Sequence, residues 1–509
     1  MSMQEHLQDR IDQERQRLRE CVPPDREGAI LALLREQAKL PHEPDAGPGF
    51  DLITGRRLAN PGANRALQLC LEAGEIPGAP DLPAGWAKEF LAQCARLAEA
   101  ELVLSHGETG FMRLIEERPG NYDAWIAAKR VPTGWRERAD IDWWAGRLAR
   151  HVPLEPASGQ PDQQADRSLK RLSYQFGYPP DAVIGGCPAR TYLDLLRLLI
   201  ARAIEEADRG ETGTPRSEQA LIAELARALR SDPAVIARAV AAFTVDDENA
   251  AYHAAVPGVA AAPLVRIAPD RLVLSLHGLT TEPLFFLTRE LRRRDPQDYH
   301  NTAHLRETAF RQDLYALFED KRFVTSQSRI VLRRDDHNAR TDLDAVIFDR
   351  KTGTLGVFEL KSQDPFARST AELARQRETV LYANRQVSGS LDWLKRHGAN
   401  ELLNRVDQPT AKKFRAQKVY SFVLGRYLAH FNDGAEPDRR AAWGTWPQLL
   451  RLLDTQPIHP NDANPIASLF NRLSKDQPVM AVPGDAEARV IELGELRIRV
   501  HASYGAMQG

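Results

Sequence analysis

Residues 341–363 read TDLDAVIFDRKTGTLGVFELKSQ. Two apolar runs, LDAVIFD (343–349) and TLGVFELKS (354–362), flank RKTG (350–353). Runs of β-branched and aromatic residues on either side of a short glycine-containing link predict a β-hairpin. Strand alternation then assigns the faces. Val357, Glu359 and Lys361 share one face, and Phe358 and Leu360 share the other. On the preceding strand Leu343, Ala345 and Ile347 share one face, and Asp342, Asp344, Val346 and Phe348 share the other. Antiparallel pairing brings Asp344 near Glu359, so two carboxylates and one ammonium meet at the sheet edge.

A buried carboxylate pair is costly unless positive charge sits between its members. Mg²⁺, a hard cation that takes oxygen ligands and keeps several waters, meets that need, and Mn²⁺ is expected to substitute. In this reading Asp344 and Glu359 hold the metal and the main-chain carbonyl of Leu360 completes its shell. Lys361 orients or helps to deprotonate a water and offsets charge developing at phosphorus. Asp342 is the alternative to Asp344, which is the favoured ligand. The plain alternative is a surface hairpin whose Glu359–Lys361 pair is a same-face ion pair worth little.

An aspartate-led apolar strand followed by ExK on its neighbour resembles the PD-(D/E)xK nuclease superfamily. The resemblance spans about residues 301–425 and maps the signature onto Asp344, Glu359 and Lys361. It implies an α/β, restriction-endonuclease-like mixed sheet flanked by helices, and metal-dependent cleavage of nucleic acid, with DNA favoured over RNA. Members of the superfamily usually add an acidic residue from the helix before the first core strand. Glu307 in HLRETAFRQDLYALF is the first candidate for that role, as a catalytic residue and metal ligand, and Glu319 is the second. Many members carry a polar residue in the helix after ExK, and Gln376 in ELARQRETVLYANRQ matches it, with Tyr382 and Gln386 continuing its face. No proline precedes the aspartate, which departs from the fullest pattern.

The element order around the hairpin fits this outline. We expect a helix over 301–323, one strand over 324–334, a loop over 335–340, one or two helices over 369–398 and a strand within 418–428. Further upstream, 192–210 and 217–243 read as helices, the latter two helices joined near Asp232–Pro233. Residues 264–278 read as a hairpin turning at Pro269–Asp270, and 283–296 as a helix ending in arginines.

With 509 residues the chain is long enough for several domains. The divisions expected are a mainly helical domain over 1–150, a Pro/Gln-rich linker over 151–168 and a helical layer or domain over 169–245. A nuclease domain over 262–430 and a C-terminal extension over 431–509, ending in a hairpin, complete the outline.

The formal net charge of −2 excludes a uniformly positive surface but not a local basic cleft. Arg292, Arg293, Arg333, Arg334, Arg340, Lys412 and Lys413 are candidate phosphate-backbone contacts, with solvated faces as the alternative. Cys21, Cys70, Cys94 and Cys187 are scattered without a CxxC pair, which argues against structural zinc or a secreted disulfide scaffold. The charged, helical start and the lack of an 18-residue apolar run predict a cytoplasmic protein without a membrane span.

GxxxxGK[ST] is absent, so any ATPase or sensing activity is expected from a protein partner. A single constellation per chain suggests a homo-oligomer for double-strand cutting. The function expected is a Mg²⁺-dependent DNA endonuclease, by family analogy a bacterial effector against phages or plasmids. The alternatives are an inactive nuclease fold that binds nucleic acid or protein, and a DNA-repair nuclease.

Overall fold

Asp349 and Gly353 close the turn at 350–353. The Gly353 amide donates to the Asp349 carbonyl (2.9 Å), while the Asp349 carboxylate accepts from the Lys351 amide (3.0 Å) and the Thr352 hydroxyl (2.6 Å). Gly353 has a φ of +64°, and a Cβ there would lie 2.6 Å from the Arg415 carbonyl oxygen, so the turn requires glycine.

The structure, a computed structural model, describes residues 2–39, 49–51, 56–58, 62–73, 82–108, 112–126, 161–256, 261–333, 339–364, 370–429, 436–459, 461–476 and 489–504. In chain order, α1 (Met3–Glu20), α2 (Arg26–Ala38), α3 (Ala63–Glu72) and α4 (Trp86–Glu108) precede β1 (Met112–Arg118) and β2 (Asn121–Ile126). Next come α5 (Pro161–Leu172), α6 (Ala189–Asp208), β3 (Arg216–Ser217), α7 (Glu218–Leu229), α8 (Pro233–Ala242), β4 (Thr244–Val245), β5 (Leu264–Ala268) and β6 (Arg271–Leu274). Helices α9 (Pro283–Arg294) and α10 (Ala303–Tyr315) lead into β7 (Phe323–Thr325), β8 (Ile330–Arg333), β9 (Ala339–Leu343), β10 (Ala345–Asp349) and β11 (Thr354–Lys361). Further on come α11 (Thr370–His397), β12 (Lys418–Gly425), β13 (Ala441–Thr445), α12 (Trp446–Thr455), α13 (Pro465–Lys475), β14 (Arg489–Leu493) and β15 (Leu496–Tyr504), with two short helices, Ala399–Val406 and Gln408–Lys413, between α11 and β12.

The central sheet has five strands in the order β7-β10-β11-β12-β13. Its first two neighbouring pairs are antiparallel and its last two parallel. Helix α11 supplies the crossover that parallel β11 and β12 require. Both faces are covered, which is why these strands read as nearly continuous apolar runs. Ala345, Ile347, Phe358, Leu360, Phe422 and Leu424 join one large core with α9, α10, α12 and α13. Val346, Phe348, Leu355 and Val357 pack on the other side against Trp393 and Leu394 of α11. Val423, Ala441 and Trp443 meet Val380, Ala383 and Val387 of the same helix.

Four sequence expectations change. The segment 324–334 is not one strand: β7 joins the central sheet, while β8 pairs with β9 in a separate two-stranded ribbon. Ser326 turns the chain there, its amide bonding the Val346 carbonyl (3.0 Å) and its hydroxyl accepting the Val346 amide (3.2 Å). The sheet also runs past residue 430, because β13 is its last strand and α12 and α13 cover it.

Finally, the terminal hairpin β14–β15 is built into the N-terminal region, where the order β14-β15-β2-β1 makes a four-stranded sheet. Strand β15 runs parallel to β2, and His501 Nε2 meets Asp123 Oδ1 at 3.1 Å. A mainly helical reading of 1–150 therefore misses β1 and β2, an antiparallel hairpin turning at Pro119–Gly120 whose second strand also pairs with β15. Of the expected linker, 161–168 is the start of α5 and 151–160 lies outside the described residues.

Candidate active site

The β10–β11 register pairs Ala345 with Phe358, so Asp344, one residue beyond, falls opposite Glu359. Asp344 occupies the bend between β9 and β10 and therefore has no strand partner for its main chain. Its side chain fills that gap: the Leu360 amide donates to Asp344 Oδ2 at 2.8 Å. Arg311 of α10 donates to the Asp344 carbonyl at 3.2 Å, pinning the bend from the other side. Amide and carbonyl of one strand residue point the same way, so the Leu360 carbonyl also faces this corner. Asp342 turns elsewhere, accepting from Arg329 Nη1 at 3.2 Å, which separates the two aspartates left open by the sequence.

Glu359 and Lys361 extend from the same face of β11 toward α11. Lys361 Nζ donates to Glu359 Oε1 at 2.5 Å and to Gln386 Oε1 at 2.7 Å. The ammonium also sits 5.7 Å from the centroid of Tyr382, an exposed ring one turn before Gln386. Glu307 projects from α10 at the rim of the same corner, within electrostatic reach of Asp344 and Lys361.

Asp344 and Glu359 thus share one lysine, while Glu307 also feels Arg306 and Arg329. Burial, then the Asp344 charge, push the Glu359 carboxyl well above its usual range, against the opposing pull of Lys361. Burial also raises Asp344, opposed by the Leu360 amide and Lys361. Partial burial and the Asp344 charge raise Glu307. A corner short of positive charge, with hard oxygen donors on two neighbouring strands, suits a divalent cation that retains waters. Among the described residues no three His, Cys, Asp or Glu side chains form a ready-made metal cage, so the side-chain donor set is the Asp344–Glu359 pair, with Glu307 at its edge.

The strand ends are held firmly. Asp364, three residues past Lys361, accepts from Tyr299 Oη (2.6 Å), Arg306 Nη1 (3.0 Å) and Arg292 Nη1 (3.4 Å). Gln363 Oε1 accepts the amides of Tyr427 (2.9 Å) and Leu428 (3.3 Å) beyond β12. A site held to sub-ångström tolerance needs this kind of supporting shell.

The other sequence candidates lie elsewhere. Gln376 Nε2 donates to the Asp364 carbonyl at 2.5 Å rather than meeting Lys361. The glutamine at the lysine is Gln386, ten residues and roughly 15 Å further along α11. In the sequence Gln386 figures only as continuing the face of Gln376, and its i, i+4 spacing from Tyr382 is the signal that sets it apart. Arg292 is engaged by Asp364 and Glu372, and Arg293 by Glu290 at 2.7 Å, so both serve the internal frame. Arg333 is exposed on the β8–β9 ribbon. Arg334 lies outside the described residues, as does the side chain of Arg340 on β9.

Lys412 and Lys413 are exposed in the helix Gln408–Lys413, which leads to the start of β12. That start pairs with Thr354, five residues and roughly 16 Å from Glu359 along β11, so these lysines belong to the hairpin-turn end. Glu319 is exposed in the chain leading to β7, whose Phe323 pairs with Asp349 at that same end. No family model, curated protein or solved structure matches this chain.

Proposed function

We propose that the protein is a Mg²⁺-dependent endonuclease that hydrolyses phosphodiester bonds of DNA, built on the PD-(D/E)xK, restriction-endonuclease-like plan. The observation that carries this reading is the joint placement of Asp344 and Glu359, both with raised carboxyl pKa values, beside Lys361. The order helix, three antiparallel strands, crossover helix and parallel strand supports the same plan.

Asp344 and Glu359 would hold Mg²⁺ with the Leu360 carbonyl, and Glu307 would contribute from the rim. When bound, Mg²⁺ polarises the scissile phosphate and lowers the pKa of a coordinated water. Glu359, whose carboxyl is raised by burial and the Asp344 charge and held down by Lys361, would serve there as an anionic ligand. Lys361, oriented by Gln386, faces the water that attacks phosphorus and offsets charge on the phosphoryl oxygens. The P–O3′ bond breaks as the new P–O bond forms, the attacking water losing a proton to solvent and the 3′ oxygen taking one up from it. Cutting both strands takes two such sites, so a homodimer is part of the proposal. A cytoplasmic setting and a role in bacterial defence remain proposals by analogy. No helix among the described residues is long and apolar enough to cross a membrane.

Incubating the purified protein with circular duplex DNA and Mg²⁺ tests the reading, with EDTA, Glu359→Ala and Lys361→Ala as controls. Nicking or linearisation that disappears in every control is the expected result. Wild-type protein that leaves the DNA intact, or variants that cut as well as wild type, would overturn it.

A further inference from the structure

The region 189–274 has a topology that the nuclease reading does not use. Helix α6 leads to the short strand β3, then α7 and α8, then the β5–β6 hairpin. Strand β6 lies between β3 and β5 in a small sheet. Helices α7 and α8 are joined by three residues, Arg230–Asp232, and Asp232 caps α8 through the Ala234 amide at 2.8 Å. Two helices joined by so short a turn and backed by a β-ribbon follow the element order of a winged helix-turn-helix.

Charge distinguishes the outer surface of this module. Arg197, Arg202, Arg209 and Arg216 each pair with a carboxylate. Arg190, Arg227, Arg230 and Arg238 are exposed, and among the described residues none has an ion-pair partner. Arg190 and Arg230 line one cleft between the start of α6 and the α7–α8 turn, which Asp181 and Asp194 also border. Arg238 of α8 lies across Gly186, in the hairpin that precedes Arg190. The outward start of α8 is small and exposed, Pro233–Ala234, with Arg238 one turn on.

Arg230 has a φ of 49°, which makes it the one non-glycine residue with positive φ among the described residues. Glycine would adopt that conformation without strain. An arginine held there at a conformational cost points to a use for its side chain. The ribbon does not compete for the role: Asp270 at its tip accepts from Ser217 Oγ (3.0 Å), and Arg271 pairs with Glu27 (2.7 Å).

We propose that α7 and α8 dock duplex DNA, with Arg190, Arg227, Arg230 and Arg238 on phosphates and the exposed start of α8 toward the major groove. Unpaired guanidinium groups around an exposed helix start complement a polyphosphate duplex. The surface shares no residue with the Asp344–Glu359–Lys361 corner, and it gives the nuclease a means of gripping DNA besides its cutting centre. Only the choice of DNA as ligand rests on the nuclease reading.

The test uses the full chain carrying Glu359→Ala, in EDTA, with a labelled duplex of about 20 base pairs read by fluorescence anisotropy across a KCl series. Adding Arg230→Gln and Arg238→Gln together should weaken binding about tenfold or more at fixed salt and lower the log–log salt slope by about two. Arg230→Gly should weaken binding while leaving the thermal midpoint unchanged or higher, an outcome that a merely structural role for Arg230 does not give. Unchanged affinity in these variants, or RNA duplex or a protein bound in preference to DNA, would overturn the proposal. Cleavage by the otherwise wild-type chain is scored separately. Arginine-dependent binding without cleavage would sink the nuclease reading alone, and cleavage with arginine-independent binding would sink this one alone.

Discussion

The main-chain amide of Leu360 donates to Asp344 Oδ2 at 2.8 Å, so the strand that carries Glu359 and Lys361 also positions the carboxylate across from them. The three groups therefore form one unit.

Because they form one unit, Asp344→Asn, Glu359→Gln and Lys361→Met should each abolish most metal-dependent cleavage, by about a thousandfold or more, with losses that do not add in the double variants. A supercoiled-plasmid nicking assay measures this. Retention of near-wild-type cutting in any single variant would remove that residue from the site.

The carboxyl pair should also govern stability against pH. Burial and the neighbouring Asp344 raise the Glu359 pKa in the folded state. A folded-state carboxyl raised above its unfolded value binds its proton in the native state first, so stability falls as pH rises above the unfolded pKa toward the folded one. In EDTA, Glu359→Gln should raise the thermal midpoint at neutral pH by a few degrees, and the gain should vanish under acid conditions where Glu359 is protonated. Mg²⁺ should stabilise wild type and not the variant, by ligand linkage. Calorimetry with and without Mg²⁺ decides it, and an equal Mg²⁺ effect on both proteins would contradict the ligand assignment.

Gln386 and Gln376 should behave differently. Gln386 contacts Lys361 at 2.7 Å, whereas Gln376 ties the Asp364 carbonyl at 2.5 Å. Gln386→Leu should lower kcat about tenfold with little change in the thermal midpoint. Gln376→Leu should act mainly on stability, loosening the loop after β11. Paired steady-state kinetics and melting curves separate the two, and the reverse pattern would show that Gln386 does not orient the lysine.

The hairpin that presents Asp344 and Glu359 rests on a buried ion pair at its far end. Arg322 Nε and Nη2 each donate to the Asp349 carboxylate at 2.6 Å, and Asp349 is fully buried. Burial alone would raise the Asp349 carboxyl, but Arg322, Thr352 and the Lys351 amide bring it below the usual range. Arg322→Ala leaves that carboxylate buried and unpaired and should cost about 3 kcal/mol in chemical denaturation. The sign with pH is opposite to that of Glu359: the contribution is present above the unfolded pKa and lost as pH falls through the depressed folded one. A loss below about 1 kcal/mol would mean that the pair does not hold the hairpin.

Local periodicity was enough to read the hairpin, its turn, the shared face of Glu359 and Lys361, the helices on either side and the strand at 418–425, because each depends on residues close in sequence. The register that sets Asp344 against Glu359 was legible for the same reason: a short turn leaves little freedom in pairing. Asp344 was already favoured over Asp342 in the sequence; Arg329 and the Leu360 amide, from two separate segments, are what direct the two side chains apart. Gln386 rather than Gln376 met Lys361 because the docking of α11 across the sheet decides which turn of a 28-residue helix faces the site. The β1–β2 hairpin was local and was missed, whereas the pairing of β2 with β15, hundreds of residues away, was not legible in the sequence. Arg292 and Arg293 read as free charges until α9 was seen against Asp364, Glu372 and Glu290. Alternation and turn chemistry act over a few residues and are written in the sequence. Which distant surfaces meet, and so which charges are spent internally and which remain for a ligand, is decided only when the whole chain packs.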